Sequence, residues 1–136
     1  MSTTLTFNNA ADTNSDNVLS QSEVNNYITG QGNPSTFNAN IDVVTIGTYA
    51  FYSQGTRLKS VSIGNSVLTI GATAFSGCTS ITSLIIPNSV LTIGNFAFRA
   101  CTSITSLIIP NSLTSLGNYA FYQCSGITDL SFGTNN

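Results

Sequence analysis

The sequence predicts a β-rich solenoid with a 23-residue period, short parallel strands and one short N-terminal helix. The last two thirds of the 136 residues align onto themselves, most clearly at residues 67–89 and 90–112. Apolar residues make up 41% of the chain and recur at fixed intervals, which excludes a disordered polar tract. Charged residues make up only 6%, where a typical soluble domain has about a quarter. Neutral polar side chains must therefore cover most of the surface.

Each coil is predicted to contain two extended segments joined by turns. The first segment ends at Pro87, and Gly94 after the second permits a tight bend. The side chains predicted to point inward are Ile81, Leu84, Ile86, Val90, Ile93, Ala97, Phe98 and Cys101. One coil cannot bury so many apolar groups alone, so the coils must stack on one another.

The repeats divide the chain into a cap, residues 1–36, and a solenoid of about four coils, residues 37–136. An earlier copy of the repeat begins at Val43. Half a copy precedes it, with Phe37 and Ala39 at the positions of Leu84 and Ile86.

The unit SITSLIIPNSVLTIGNFAFRAC resembles the BspA-type, or Treponema-type, leucine-rich repeat. The resemblance extends over about residues 37–132. It implies a right-handed solenoid of the kind found in surface-exposed bacterial and protist proteins, which adhere to matrix, to other cells or to each other. It does not imply an enzyme, and it places the protein outside the cell or at the cell surface.

The charge pattern excludes two classes of partner. The formal net charge is −2, and the only basic residues are Arg57, Lys59 and Arg99. Nucleic-acid binding needs a basic patch, so no nucleic acid is expected. No apolar run approaches the length of a membrane span, and the first residues lack the pattern of a secretory signal peptide. Membrane insertion is therefore not expected.

Two rows of aliphatic residues are predicted to lie on the outside of the coils. Leu68 and Leu91 form one row, with Val44 in register, and Ile85 and Ile108 form the other. Scattered surface leucine and isoleucine residues are ordinary. Stacked coils, however, would bring these side chains together into patches, which favours lateral association.

The terminal strands suggest a second mode of self-association. The sequence stops four residues after Phe132, so we expect the last strand to have an uncovered edge. Leu5 and Phe7 repeat the alternation of Leu130 and Phe132. The first strand of one copy would then continue the last strand of another, head to tail, and build a filament. In the alternative, the first strand caps its own first coil.

Residues 12–23 have the spacing of an EF-hand or dockerin-type calcium loop. Asn17 stands at the position that usually holds a glycine with positive φ. The alternative is that Ser20 and Glu23 only form a capping box on a short helix whose apolar face includes Val24 and Ile28. The predicted Ca²⁺ ligands are Asp12, Asn14, Asp16, Ser20 and Glu23 through their side chains and Val18 through its carbonyl.

An enzyme is not expected, because the chain has no histidine and Asp42 and Asp129 lie too far apart to act as a pair. Cys78, Cys101 and Cys124 recur once per coil and are predicted to pack as small apolar groups. Metal binding or a disulfide between neighbours is the alternative.

A binding module is the second functional class. Flat rows of hydroxyls could recognise a glycan, a matrix protein or ice. Tyrosines near the turns could stack on sugars or simply pack together. The rows comprise Ser60, Ser83 and Ser106 on one side and Thr69, Thr92 and Ser115 on the other, and the tyrosines are Tyr49, Tyr52, Tyr119 and Tyr122.

Overall fold

The computed structural model describes residues 3–8 and 11–133 and confirms the β-rich solenoid. Helix α1 spans Gln21–Gly30, and a single turn of 3-10 helix spans Tyr52–Gln54. The strands are β1 (Thr3–Phe7), β2 (Val18–Leu19), β3 (Phe37–Ile41), β4 (Thr45–Ile46), β5 (Leu58–Ile63), β6 (Thr69–Ile70), β7 (Ser83–Ile85), β8 (Thr92–Ile93), β9 (Ser106–Ile109), β10 (Ser115–Leu116) and β11 (Asp129–Phe132).

The strands form two sides of the stack, and every pair is parallel. One side is a five-stranded sheet in the order β10-β8-β6-β4-β2. The other side consists of two three-stranded sheets, β1-β3-β5 and β11-β9-β7, and β5 contacts β7 where they meet. Residues one period apart pair directly, as Thr69 does with Thr92. The coils therefore bring equivalent side chains into rows.

The core is a set of such rows, and all eight side chains predicted to point inward are buried. Three buried phenylalanines and the partly buried Phe121 form a ladder of nearly parallel rings through four coils. Their centroids lie 5.1 Å apart between Phe51 and Phe75, 5.2 Å between Phe75 and Phe98, and 5.3 Å between Phe98 and Phe121. Each coil thus buries its apolar side against its neighbours, as a stacked repeat requires.

The N-terminal strand belongs to the chain's own first coil. Strand β1 pairs with β3, and Leu5 and Phe7 are buried. The Phe7 ring lies 5.2 Å from that of Tyr27 and 5.1 Å from that of Phe51. The prediction that Leu5 and Phe7 form a self-association surface is therefore wrong for their side chains. The alternation of apolar and polar residues does not distinguish these cases, because a strand that pairs within its own chain has the same alternation as one that pairs with another copy.

The half copy before β4 has a different register from the one predicted. The repeat alignment places Phe37 and Ala39 with Leu84 and Ile86, but Ala39 pairs with Val61, one period before Leu84. The predicted register is wrong by two positions, next to an irregularity in the pairing at Phe37. A shift of two residues keeps each side chain on the same face, so alternation alone cannot detect it.

The rest of the N-terminal segment closes the first coil. Helix α1 begins with the capping box formed by Ser20 and Glu23, and its buried residues include Val24 and Ile28, as predicted. Strand β2 pairs with β4, and this places Leu19 in the buried row of the five-stranded sheet. The described part of residues 1–36 therefore shares one core with the solenoid.

Candidate functional site

The two predicted aliphatic rows are exposed. Leu68 and Leu91 are each 42% exposed. Backbone hydrogen bonds hold their row together, because the Leu91 N–H donates to the Leu68 carbonyl at 2.8 Å and the Leu68 N–H donates to the Val44 carbonyl at 2.9 Å. Ile85 and Ile108 pair directly across β7 and β9, and both are exposed. The coils thus form apolar patches in place of scattered residues.

The predicted hydroxyl rows also follow from strand register. Ser83 pairs with Ser106, and Thr69, Thr92 and Ser115 lie side by side across β6, β8 and β10. In the three-stranded sheet nearest the N-terminus, Ser60 pairs with an asparagine. Rows of small neutral polar side chains therefore lie beside the aliphatic patches on the outer face of the solenoid.

The last described coil is open on its far side. Leu130 and Phe132 in β11 are exposed, as is Leu116 in β10. Within the described residues, β11 pairs only with β9 and β10 only with β8. Leu130 pairs with Leu107 and Leu116 pairs with Ile93, and these two partners one coil earlier are buried.

The N-terminal loop surrounds two buried carboxylates. Asp12 Oδ2 accepts a hydrogen bond from the Asn17 N–H at 2.9 Å, whereas Asp12 Oδ1 is buried without a hydrogen-bond partner. Glu23 Oε1 accepts from the Thr13 N–H at 2.9 Å, and Glu23 Oε2 accepts from the Ser20 hydroxyl at 2.7 Å. Asn17 has the predicted positive φ, at 63°.

The hydrogen bonds around Glu23 affect its ionisation. Burial by itself raises the pKa of this carboxyl, but the hydrogen bonds from Ser20, Asn14 and Thr13 outweigh burial and leave the pKa below its usual value. Glu23 is therefore a stable anion at neutral pH.

The loop has some features of a calcium site. Carboxylate, amide and carbonyl oxygens are the donors that Ca²⁺ prefers, and the unpartnered oxygen of Asp12 is what a cation would satisfy. Asp16, however, is exposed and binds the Asn14 side chain and the Val18 N–H. In the described part of the chain, no three His, Cys, Asp or Glu side chains come close enough to hold a metal ion. The capping box is present, so the alternative for Ser20 and Glu23 is also realised.

Cys78 and Cys101 are buried and Cys124 is partly buried, and all three are free thiols. Each donates a hydrogen bond to a phenylalanine carbonyl of the preceding coil, at 3.0–3.5 Å. Burial raises the pKa of the Cys78 thiol to about 12. The neighbouring Cys124 side chain, followed by burial, also raises the pKa of the Cys101 thiol. These thiols pack as small apolar groups, in line with the sequence prediction.

The turns carry a groove that was not predicted from the sequence. The sequence predicts only that tyrosines near the turns could stack on sugars or pack together. The volume of the groove is about 450 Å³. The sequence does contain a sign of this groove. At equivalent positions of successive coils, the second coil has small side chains, whereas its neighbours have larger, mostly aromatic ones. The lining residues are Tyr49, Tyr52, Thr73, Ser76, Phe96, Arg99 and Tyr122.

Known proteins share the repeat and the fold. The family described as "BspA type Leucine rich repeat region" matches residues 44–136, in six copies. A leucine-rich repeat protein from Bacteroides ovatus is 33% identical, with a TM-score of 0.65, over 68% of this chain and 24% of that one. A leucine rich cell surface protein from Faecalibacterium prausnitzii is 27% identical, with a TM-score of 0.55, over 76% of this chain and 34% of that one. This chain therefore spans about a quarter and a third of their lengths.

A third solved structure supports the fold alone. The leucine-rich repeat protein of T. pallidum is 19% identical, with a TM-score of 0.57, over 74% of this chain and 75% of that one. No curated protein is significantly similar to the chain. Among the described residues, no helix has the length and apolar character needed to cross a membrane.

Proposed function

This chain belongs to the BspA-type leucine-rich repeat family, and we propose that it is a cell-surface interaction subunit of structural or adhesive type that associates with copies of itself. The family and fold are typical of interaction modules and not of enzymes. The F. prausnitzii relative is named as a cell surface protein, and this supports the proposed location.

The observation that carries self-association is the apolar face of the last described coil. Phe132 is 70% exposed and Leu130 is 57% exposed, on a strand that has one free edge in the described structure. Apolar side chains beside unpaired strand groups are a template for another strand. Strand β1 is the edge strand at the opposite end of the same side of the stack, so head-to-tail addition would continue that side from copy to copy.

The aliphatic rows give this proposal a second, lateral contact. Both rows lie on the sides of the solenoid and not on its ends, so they remain available after copies have joined end to end. End contacts would then set the growth of a filament, and the rows would set the bundling of filaments.

Paired variants separate these two contacts. The end variant, Leu130→Ser with Phe132→Ser, removes the apolar side chains of the last coil. The row variant, Leu68→Thr with Leu91→Thr, removes one aliphatic row. Threonine suits this position, because the next coil already has Thr114 there. We expect the end variant to remain monomeric in light scattering. The row variant should still form high-mass species but lose lateral bundles in negative-stain micrographs. Assembly of the end variant to the same mass as the wild type would contradict the proposed end contact.

We also propose that Ca²⁺ stabilises the N-terminal cap through the loop of residues 12–23, with Asp12 as the first ligand. Calcium at about 100 times its dissociation constant would stabilise the fold by about 2.7 kcal/mol. The melting temperature should rise with millimolar calcium and fall again with EDTA. Asp12→Asn should abolish the shift, whereas the control Asp42→Asn, outside the loop, should keep it. An unchanged melting temperature with calcium and with EDTA would show that the cap needs no metal.

A further inference from the structure

We propose that the groove among the turns binds one ring of a carboxylated saccharide chain. This inference rests on the proposed surface location and gives the interaction module a second partner class besides its own copies. It is carried by three features of the groove, namely a gap in a row of aromatic rings, hydroxyl groups in the lining and a guanidinium that has no partner among the described residues.

The first feature is the gap. Tyr49, Thr73, Phe96 and Tyr119 occupy the same position in four successive coils, so three rings and one small side chain form a row. The Phe96 ring stacks on that of Tyr119, with centroids 5.4 Å apart and planes 10° apart. On the other side of Phe96, Thr73 is too short to continue the stack. The groove at this position, between Tyr49 and Phe96, is the space that we assign to the ligand ring.

The row is rigid enough to hold such a ring. All four residues have a positive φ, between 57° and 60°, so their Cα–Cβ bonds leave the backbone in the same local geometry. Backbone hydrogen bonds also join neighbouring coils here, because the N–H groups of Tyr49, Thr73 and Phe96 donate to carbonyls of the next coil at 3.0, 2.9 and 3.1 Å. A preorganised site loses little conformational entropy when it binds a ligand.

The second feature is the polar lining beside the rings. Tyr52, Ser76, Arg99 and Tyr122 form a parallel row, in which the second coil again has a small hydroxyl residue. Aromatic faces with hydroxyls next to them suit a sugar ring, which has apolar C–H faces and a rim of hydroxyls. A purely apolar side chain of a protein partner would leave these hydroxyls without partners.

The third feature is Arg99. The other two basic residues are occupied, because Arg57 binds the Asn33 side chain and the Pro34 carbonyl, and Lys59 binds the Ser80 hydroxyl. Arg99 is exposed at the groove, and its guanidinium takes part in no hydrogen bond or ion pair within residues 3–8 and 11–133. A guanidinium pairs best with a carboxylate, through two parallel hydrogen bonds. This selects an acidic sugar over a neutral one.

The test compares binding of an oligogalacturonate hexamer with binding of its neutral methyl ester, by isothermal titration calorimetry. We expect the wild type to bind the acidic chain more tightly. Thr73→Tyr fills the gap with a ring that the first and fourth coils already carry at the same φ, and should weaken binding about tenfold or more. Arg99→Gln should reduce the affinity for the acid to that for the ester. The matched control Thr82→Tyr makes the same substitution at an exposed residue outside the groove and should bind like the wild type.

The outcomes separate this inference from the proposed function. Equal binding by the wild type and Thr73→Tyr would overturn the groove as the site, and equal affinity for acid and ester would overturn the role of Arg99. If neither chain binds but an aromatic peptide does, the occupant is a protein side chain and the inference is wrong. Light scattering on the same samples reports self-association independently, because Thr73 lies outside the end face and the aliphatic rows.

Discussion

Glycines show how closely the coils approach one another. The sequence suggests that Gly94 permits a tight bend, but its φ is not positive, and the structure gives a different reason for the glycine. A Cβ atom there would lie 2.5 Å from the Ala72 nitrogen and 2.8 Å from the Gly71 carbonyl carbon of the preceding coil. Gly77 differs, because its φ is 77° and a Cβ would meet nothing within 4 Å.

These two glycines give a matched pair of substitutions. Gly94→Ala should destabilise the protein by about 1–3 kcal/mol, because the backbones of two coils must move apart. Gly77→Ala should cost about 1 kcal/mol, the lower end of the usual cost of a left-handed conformation, since Ala100 already adopts a φ of 58° one period later. Urea unfolding measures both values. Equal losses for the two variants would contradict the close packing at Gly94.

At the scale of one element, helix α1 depends on the Glu23 carboxylate. This side chain accepts hydrogen bonds from the Ser20 N–H and hydroxyl and from the Thr13 and Asn14 N–H groups. Because its pKa is lower in the folded chain than in the unfolded one, folding favours the ionised form. This contribution to stability is present above the unfolded pKa, about 4.3, and is lost as the pH falls through the folded value.

Glu23→Gln should therefore flatten the acid limb of the stability curve. We expect the variant to lose about 1 kcal/mol at neutral pH, because a neutral amide accepts these hydrogen bonds less well. The difference from the wild type should shrink as the pH falls below about 4. Thermal unfolding between neutral and acidic pH, with EDTA present, measures it. A constant difference at every pH would show that the carboxylate charge is not what stabilises the cap.

The coils could be predicted from the sequence more fully than the cap or the groove. Burial of Leu84 and exposure of Ile85 follow from the repeat itself, because every coil has the same inside and outside. The partner of β1 does not follow from the sequence. The alternation of Leu5 and Phe7 suits a strand that pairs with its own first coil as well as one that pairs with the last coil of another copy. The groove arises because Thr73 stands where the other coils have an aromatic residue. Aligning the repeats shows where the coils are alike, so a single different residue is easily overlooked.

At the scale of the whole molecule, the two ends of the described stack differ. The N-terminal end buries its apolar side chains beneath a helix, whereas the last described coil exposes Leu130 and Phe132. Between the ends, few charges oppose close approach, because the net charge is only −2. The described residues therefore present apolar rows, an apolar last coil and an aromatic groove on one stack of coils.

Sedimentation velocity of the wild-type chain over a wide range of concentrations, with calcium and with EDTA, tests self-association most directly. If copies associate, the weight-average mass will rise steadily above the 14.3 kDa of one chain as concentration increases. A single 14.3 kDa species at every concentration, with and without calcium, would contradict self-association.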